Sequence, residues 1–161
     1  KWNYYNLTVD KIDMESELNI LQECKLLLQE LDYDIMYHWS NAEINFLKKS
    51  NKRHGTNFNL DNNFDLLKLF KNEPITIKGL FDYKLKNVIK IMNQHNLINI
   101  KWDEISDGLE AMILTWKYNK IACKNNIKLN QINKFKSIID YNEIDCKSMF
   151  EIVNYLKHNH I

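Results

Sequence analysis

The order of hydrophobic periodicities along the chain is the strongest constraint on its fold. Residues 2–9 are rich in aromatic and β-branched side chains, which is typical of a strand, and Asp34–His38 reads as a second, short buried strand. Apolar residues at helical spacing follow each run and predict helices over Asp13–Leu31 and Asn41–Lys52. Three more helical patterns fill the second half. The order predicts an α/β domain with a helix-rich C-terminal half.

The three later helices have clear signals in the sequence. Asp82 and Asp107 are predicted to cap the first two, and the last helix is predicted over Gln131–His158. The stretch 64–70 stays open between a strand and a short helix. The second of these helices is expected to bury Leu109, Met112, Ile113 and Trp116, and Trp102 is also expected in the core. The last is expected to bury one stripe, formed by Ile132, Phe135, Ile139, Cys146, Met149, Val153 and Leu156.

Composition excludes several classes of protein and leaves the partner open. The chain has 161 residues, enough for a single domain over 1–161, and its 22 Lys and Arg nearly balance its 21 Asp and Glu. A net charge of +1 means that a nucleic acid would have to meet a local basic patch. Three cysteines without paired spacing argue against a disulfide framework or a zinc site. These cysteines favour a reducing compartment, so we expect an intracellular protein, in the cytoplasm or nucleus, and no apolar run is long enough to predict a transmembrane helix.

A tyrosine and an aspartate lie one turn apart in the last predicted helix. Tyr141 and Asp145 project from one helical face, and we expect them beside the apolar stripe rather than within it. A carboxylate there can hold a divalent metal ion, and a phenol one turn earlier can hydrogen-bond an attacking water. The same spacing also occurs by chance in many helices. The tyrosine then packs on a neighbouring helix beside a solvated aspartate.

Four segments resemble, in the same order, the motifs of one nuclease family. Residues 141–156 resemble the third motif of DEDDy-type 3′–5′ exonucleases, Tyr-Asn-x-x-Asp-Cys before a helix ending in Tyr-Leu. Residues 36–43 resemble the second motif, in which the family's acid falls on Glu43. Residues 64–66 and 83–86 resemble its Asp-Leu and Ser-Leu-Lys segments. The chain is thus similar to DnaQ-like, ribonuclease H-like nucleases, in the branch found beside RecB-like nucleases and in large DNA viruses.

The first motif of that family, Asp-x-Glu on the first strand of the sheet, has no counterpart in the right place. Asp13 and Glu15 match the residue types of the motif, but they follow a predicted strand and begin a helix, so capping is the better interpretation. The resemblance implies that the true motif lies before Lys1 and that residues 2–9 form the second or third strand. We therefore expect the domain to be N-terminally incomplete and inactive alone.

The resemblance also implies a fold and a mechanism. The fold is a ribonuclease H-like mixed sheet flanked by helices, and the reaction is hydrolysis of a phosphodiester at the 3′ end of DNA or RNA. Two Mg²⁺ or Mn²⁺ ions, roughly 4 Å apart, would clamp the attacking and leaving oxygens. By position, Glu43 and Asp145 would be metal ligands and Tyr141 would orient the water. A viral gene is one source that the resemblance implies.

The remaining candidate residues each have two interpretations. Lys48, Lys84 and Lys86 lie in basic runs that usually form solvated faces, but they could contact phosphates. His38 ends a strand and is a structural histidine or a ligand. Asp65 is an acid close to the metal or a helix cap.

Two other classes of protein compete with the nuclease interpretation. A non-catalytic module could keep the ribonuclease H-like fold and bind protein or nucleic acid. A helical interaction domain would have no central sheet. An Asp-x-Glu strand upstream of Lys1 would favour the enzyme over the binding module.

Overall fold

The described part of the chain folds into helices and one small sheet. The structure is a computed structural model that describes residues 1–73, 75–101 and 107–160. The strands are β1 (Met36–His38) and β2 (Asn63–Asp65). The helices are α1 (Met14–Leu31), α2 (Ala42–His54), α3 (Leu66–Asn72), α4 (Leu85–Gln94), α5 (Gly108–Asn125) and α6 (Lys136–Asn159). Two short 3₁₀ turns, Leu129–Gln131 and Asn133–Phe135, precede α6.

The chain forms two compact units, each assembled from two separate stretches of sequence. The first unit comprises Lys1–Leu31 and Lys101–Asp145, and the second comprises Asp32–Ile100 and Cys146–Ile161. The division between the units falls inside α6.

The second unit contains a two-stranded parallel sheet. β1 pairs with β2 in a register that joins Met36 to Asn63 and His38 to Asp65, and α2 lies between the strands in sequence. The larger mixed sheet expected from the sequence is therefore not seen among the described residues. The ambiguous stretch 64–70 is resolved as both alternatives, because β2 ends at Asp65 and α3 starts at the next residue.

Aromatic and aliphatic side chains from several elements form the core of the second unit. Phe70 is fully buried, and its ring centroid lies 5.4 Å from that of Trp39 and 6.1 Å from that of Tyr83. The C-terminal part of α6 reaches β1, where the Lys157 Nζ lies 5.8 Å from the Tyr37 ring centroid. Other fully buried apolar side chains of this unit are Leu66, Val88, Ile89, Met92 and Ile152.

Residues 2–9 form no strand and pair with no sheet, so the predicted strand is wrong. The Trp2 indole donates to the Glu143 carboxylate at 3.2 Å, and the Tyr4 hydroxyl donates to the Ile139 carbonyl at 3.3 Å. Both partners lie on α6. Alternating burial predicts an extended segment with one covered side, and it cannot distinguish a strand partner from a helix that covers the same side.

The two predicted caps of the first unit are confirmed. Asp13 accepts from the Ser16 amide at 2.8 Å at the start of α1, and Asp107 accepts from the Glu110 amide at 2.9 Å at the start of α5. These bonds satisfy amides that lack helical partners. Asp82 differs, because it accepts from the Lys84 amide in the turn before α4 rather than at the N-cap position.

Helix α5 buries the face opposite to the one expected. Its buried residues are Ala111, Tyr118 and Ala122. Leu109, Met112, Ile113 and Trp116 are instead 65%, 62%, 60% and 59% exposed. Both faces of α5 carry apolar residues, so periodicity alone could not choose between them. The prediction for Trp102 lies outside the described residues.

Candidate functional site

Tyr141 and Asp145 lie on the most buried line of α6 rather than beside it. Ile138 is 6% exposed and Ser148 and Ile152 are fully buried, and the two candidate residues fall between them at spacings of three and four. Cys146, placed in the stripe from its sequence pattern, is exposed. The pattern missed this line because its members include a serine, a tyrosine and an aspartate, which a search for apolar residues passes over.

The two side chains line a cleft of about 400 Å³ in the first unit. Its wall is formed by Ile12, Gly108, Ala111, Met112, Thr115, Trp116, Ile138, Tyr141, Asn142 and Asp145. The start of α5 approaches the tyrosine closely, because a Cβ added to Gly108 would lie 4.0 Å from the Tyr141 hydroxyl oxygen. A side chain larger than glycine at this position would narrow the cleft beside the hydroxyl.

Burial and negative charge keep the Tyr141 phenol protonated. Burial raises the pKa of Tyr141 far above its ordinary value, and the charge of Asp145 raises it further. The hydroxyl also donates a hydrogen bond to the Asp145 carboxylate, and the charge of Asp107 adds a smaller effect in the same direction. Tyr141 is therefore a hydrogen-bond donor rather than a base. The sequence identified Asp107 only as a helix cap, because no spacing rule relates it to a residue so far along the chain.

A second cleft, of about 600 Å³, lies at the carboxyl ends of the two parallel strands. His38 and Asp65, which end β1 and β2, both line it, as does Lys48 of α2. Three candidate residues that are distant in sequence are therefore brought together. Asn41, Asn63 and Lys68 add polar groups that the sequence interpretation missed. Ligands of parallel α/β sheets characteristically bind at this edge.

Asp65 and His38 have structural partners in this cleft. Asp65 Oδ1 accepts from the Ser40 amide and the Leu67 amide, each at 3.0 Å, so it caps α3 and fixes the turn after β1. His38 is 4% exposed, with Nδ1 against the Ser40 carbonyl and Nε2 3.3 Å from Asn63 Oδ1. Capping is therefore shown for Asp65, while its role near a metal and that of His38 as a ligand remain predictions.

The other two basic candidate residues, Lys84 and Lys86, do not line this second cleft. Lys84 is exposed and lines a shallow groove of about 450 Å³ with Trp39 and Tyr83. Lys86, two residues later at the start of α4, is half-buried. Contacts of either lysine with phosphate remain predictions.

The described residues do not complete a metal site. Glu43 is exposed in the first turn of α2 in the second unit, whereas Asp145 belongs to the first unit, so their meeting at one metal remains a prediction. A carboxylate such as that of Asp145 is a suitable ligand for Mg²⁺ or Mn²⁺. Within 1–73, 75–101 and 107–160, however, no group of three or more His, Cys, Asp or Glu side chains could hold a metal ion.

In the part of the chain that the structure describes, no helix has both the length and the apolarity that crossing a membrane requires.

Comparisons with known proteins identify the superfamily and nothing finer. Searches of curated proteins and of solved structures found no match. A family model described as RNase H superfamily matches residues 3–157, nearly the whole chain. The chain therefore belongs to the RNase H superfamily.

Proposed function

We propose that this chain is part of a metal-dependent 3′–5′ exonuclease that hydrolyses phosphodiester bonds of DNA or RNA. The observation that carries the proposal is the pairing of the Tyr141 hydroxyl with the Asp145 carboxylate in one cleft. Membership of the RNase H superfamily supports a nucleic acid as the partner. The direction of cleavage rests on the resemblance of the Tyr141–Asp145 segment to the third motif of DEDDy-type exonucleases.

The roles of the residues follow from their chemistry. Asp145 would contribute one carboxylate to a pair of Mg²⁺ or Mn²⁺ ions, with Glu43 as a second ligand and further acids from outside the described residues. Such a metal pair stabilises charge on both the attacking and leaving oxygens. The Tyr141 phenol, held protonated, has an O–H that can donate a hydrogen bond and an oxygen that can accept one, so it is suited to orienting a water molecule. Lys48, Lys84 and Lys86 would contact phosphates of the strand.

A non-catalytic nucleic-acid-binding module is the second candidate. Such a module requires no metal ligands, whereas the exonuclease requires acids beyond those that the described residues bring together. Such a module would use the same polar clefts for binding, and the Tyr141–Asp145 hydrogen bond would then only fix side chains within α6. The two candidates differ in whether Asp145 matters for hydrolysis.

The test is hydrolysis of a 3′-labelled single strand by the natural full-length protein in Mg²⁺ or Mn²⁺. Asp145→Asn should reduce the rate by about 100-fold or more, because catalytic metal ions contribute several kcal/mol of transition-state stabilisation. Tyr141→Phe should reduce it by about 2- to 10-fold, the value of one hydrogen bond. A 5′-labelled strand, degraded to a ladder of shortened products, would establish the direction.

Asp140→Asn is the matched control, because Asp140 lies on the same helix but pairs with Lys136 on the surface. It should leave hydrolysis unchanged. Thermal melting of each variant separates loss of activity from loss of folding. Full activity in a folded Asp145→Asn variant would contradict the catalytic assignment. Strand binding without hydrolysis by the full-length protein, unaffected by Asp145→Asn, would favour the binding module.

A further inference from the structure

The exposed side of α5 combines apolar and basic side chains in a way that a core helix does not. We name it the α5 platform and define it by Leu109, Met112, Ile113, Trp116, Lys117, Lys120 and Lys124. The four apolar members are 59% or more exposed. The first six line, with Ile121, an open groove of about 610 Å³. Exposed apolar surface of this kind marks an interaction site in a folded protein.

The charge on the α5 platform specifies an anionic partner. Lys117, Lys120 and Lys124 all lie in its C-terminal half and are exposed, and the sequence from Ala111 to Asn125 contains no aspartate or glutamate. The whole chain is nearly neutral, with a net charge of +1. A local concentration of lysines within a neutral chain supplies the patch that a polyanion requires.

The α5 platform is continuous with the cleft that contains Tyr141 and Asp145. Met112 and Trp116 line both that cleft and the groove along α5. A ligand whose end lies beside Tyr141 can therefore extend over Trp116 toward the lysines without leaving the first unit. The flat indole of Trp116 is 59% exposed at the junction, where a planar base could stack on it.

We infer that the α5 platform binds a single-stranded nucleic acid, with Trp116 stacking on a base and Lys117, Lys120 and Lys124 contacting phosphates. The inference rests on the proposed function, because it supplies the path along which a strand would reach the Tyr141–Asp145 cleft. From Leu109 to Lys124 the helix extends about 22 Å. At about 3.4 Å or more per nucleotide, this length accommodates roughly four to six nucleotides.

The geometry favours a single strand over a duplex. Stacking on an exposed indole needs an unpaired base face, and stacking of this kind tolerates any base sequence. The aliphatic side chains of Leu109, Met112 and Ile113 offer the neighbouring bases an apolar surface. A duplex would present its phosphates and hide its base faces, so the tryptophan would contribute little.

The first experiment measures binding of fluorescently labelled oligothymidylate to the natural full-length protein, without divalent cations so that no hydrolysis occurs. Trp116→Ala should weaken binding by about 5- to 150-fold, the value of stacking one base. The double variant Lys117→Gln, Lys120→Gln should make the slope of log affinity against log salt shallower by about 1.4, since each single-strand phosphate contact contributes about 0.7. Affinity should rise with length and level off near six nucleotides.

A second double variant, Lys25→Gln with Lys134→Gln, is the matched control. Both lysines are exposed in the first unit but lie outside the α5 platform, on α1 and in the turn before α6. This variant removes the same charge and should keep both the affinity and the salt slope. Equal behaviour of the two double variants, or parent affinity in Trp116→Ala, would overturn the inference.

The outcomes also separate this inference from the proposed function. Strand binding that depends on the α5 platform, without any hydrolysis, would leave the binding surface intact and reject the exonuclease. Hydrolysis with an unchanged KM in Trp116→Ala and in the Lys117→Gln, Lys120→Gln double variant would support the exonuclease and reject strand binding by the α5 platform. Self-association that Trp116→Ala abolishes, measured by sedimentation, would assign the apolar face to a second copy and overturn the inference.

Discussion

Titration of Tyr141 tests the geometry of the candidate site directly. In the folded protein, burial raises the pKa of this phenol, and the neighbouring Asp145 carboxylate raises it further. In the unfolded chain the same group titrates near its ordinary value of 10.0. Folding therefore favours the protonated phenol, and Tyr141→Phe removes this proton-dependent contribution with little change in shape.

The sign and size of the effect follow from linkage. Because the folded-state pKa is raised, the stabilisation is complete below about pH 10 and is lost as the pH rises through the folded-state pKa. Release of one proton changes the free energy of unfolding by at most about 1.4 kcal/mol per pH unit. Because Tyr141 is only half-buried, solvent screening makes the expected change smaller than this limit. From about pH 10 to 11, the parent should lose up to about 1 kcal/mol more stability than Tyr141→Phe.

Urea denaturation at a series of alkaline pH values measures the difference. Ultraviolet absorbance of tyrosinate gives a second readout, because the late-titrating absorbance of Tyr141 should be missing in Tyr141→Phe. Asp145→Asn should lower the pKa of Tyr141 only in part, because burial is the larger cause. Tyr5→Phe, which removes a 55% exposed phenol, is the control. Identical pH dependence in the parent and Tyr141→Phe would refute the reasoning.

Two stability predictions concern the second unit. Phe70→Ala should lower the free energy of unfolding by about 3–5 kcal/mol, because a fully buried ring would leave a cavity between Trp39 and Tyr83. Urea denaturation measures it, and a change below about 1 kcal/mol would contradict this packing. Asp65→Ala should lower the free energy of unfolding by about 1–3 kcal/mol, because it removes the cap of α3 and leaves the Ser40 amide without its acceptor. Asp65→Asn should keep most of the stability, because its amide oxygen can accept the same hydrogen bonds. Equal melting temperatures of the two variants would count against the capping role.

Local sequence signals predicted the helices well. The predicted helix ending at Leu31 and its cap at Asp13 both agree with the structure, and so does the cap of α5 at Asp107. Helical periodicity and capping depend on residues within one or two turns of one another. The local sequence therefore contains all the information that these predictions need.

Features that depend on distant partners could not be predicted in the same way. Residues 2–9 have the composition of a strand, yet side chains of that segment bond to α6. Apolar residues occur on both faces of α5, and only the packing of Ala111 and Ala122 shows which face is inward. For the site, the i, i+4 spacing correctly placed Tyr141 beside Asp145. It did not predict Asp107 near the same hydroxyl.

Assembly of each unit from two separate stretches has a consequence for synthesis on the ribosome. The first unit cannot form until residues 101–145 have emerged, after residues 32–100 of the second unit. At about 5–20 residues per second, those intervening residues delay it by roughly 3–14 seconds. Closing a loop of that length costs about 4 kcal/mol of chain entropy before constant terms. The second unit also awaits residues after Cys146, so nascent chains that stop before α6 should expose apolar surface and require chaperones.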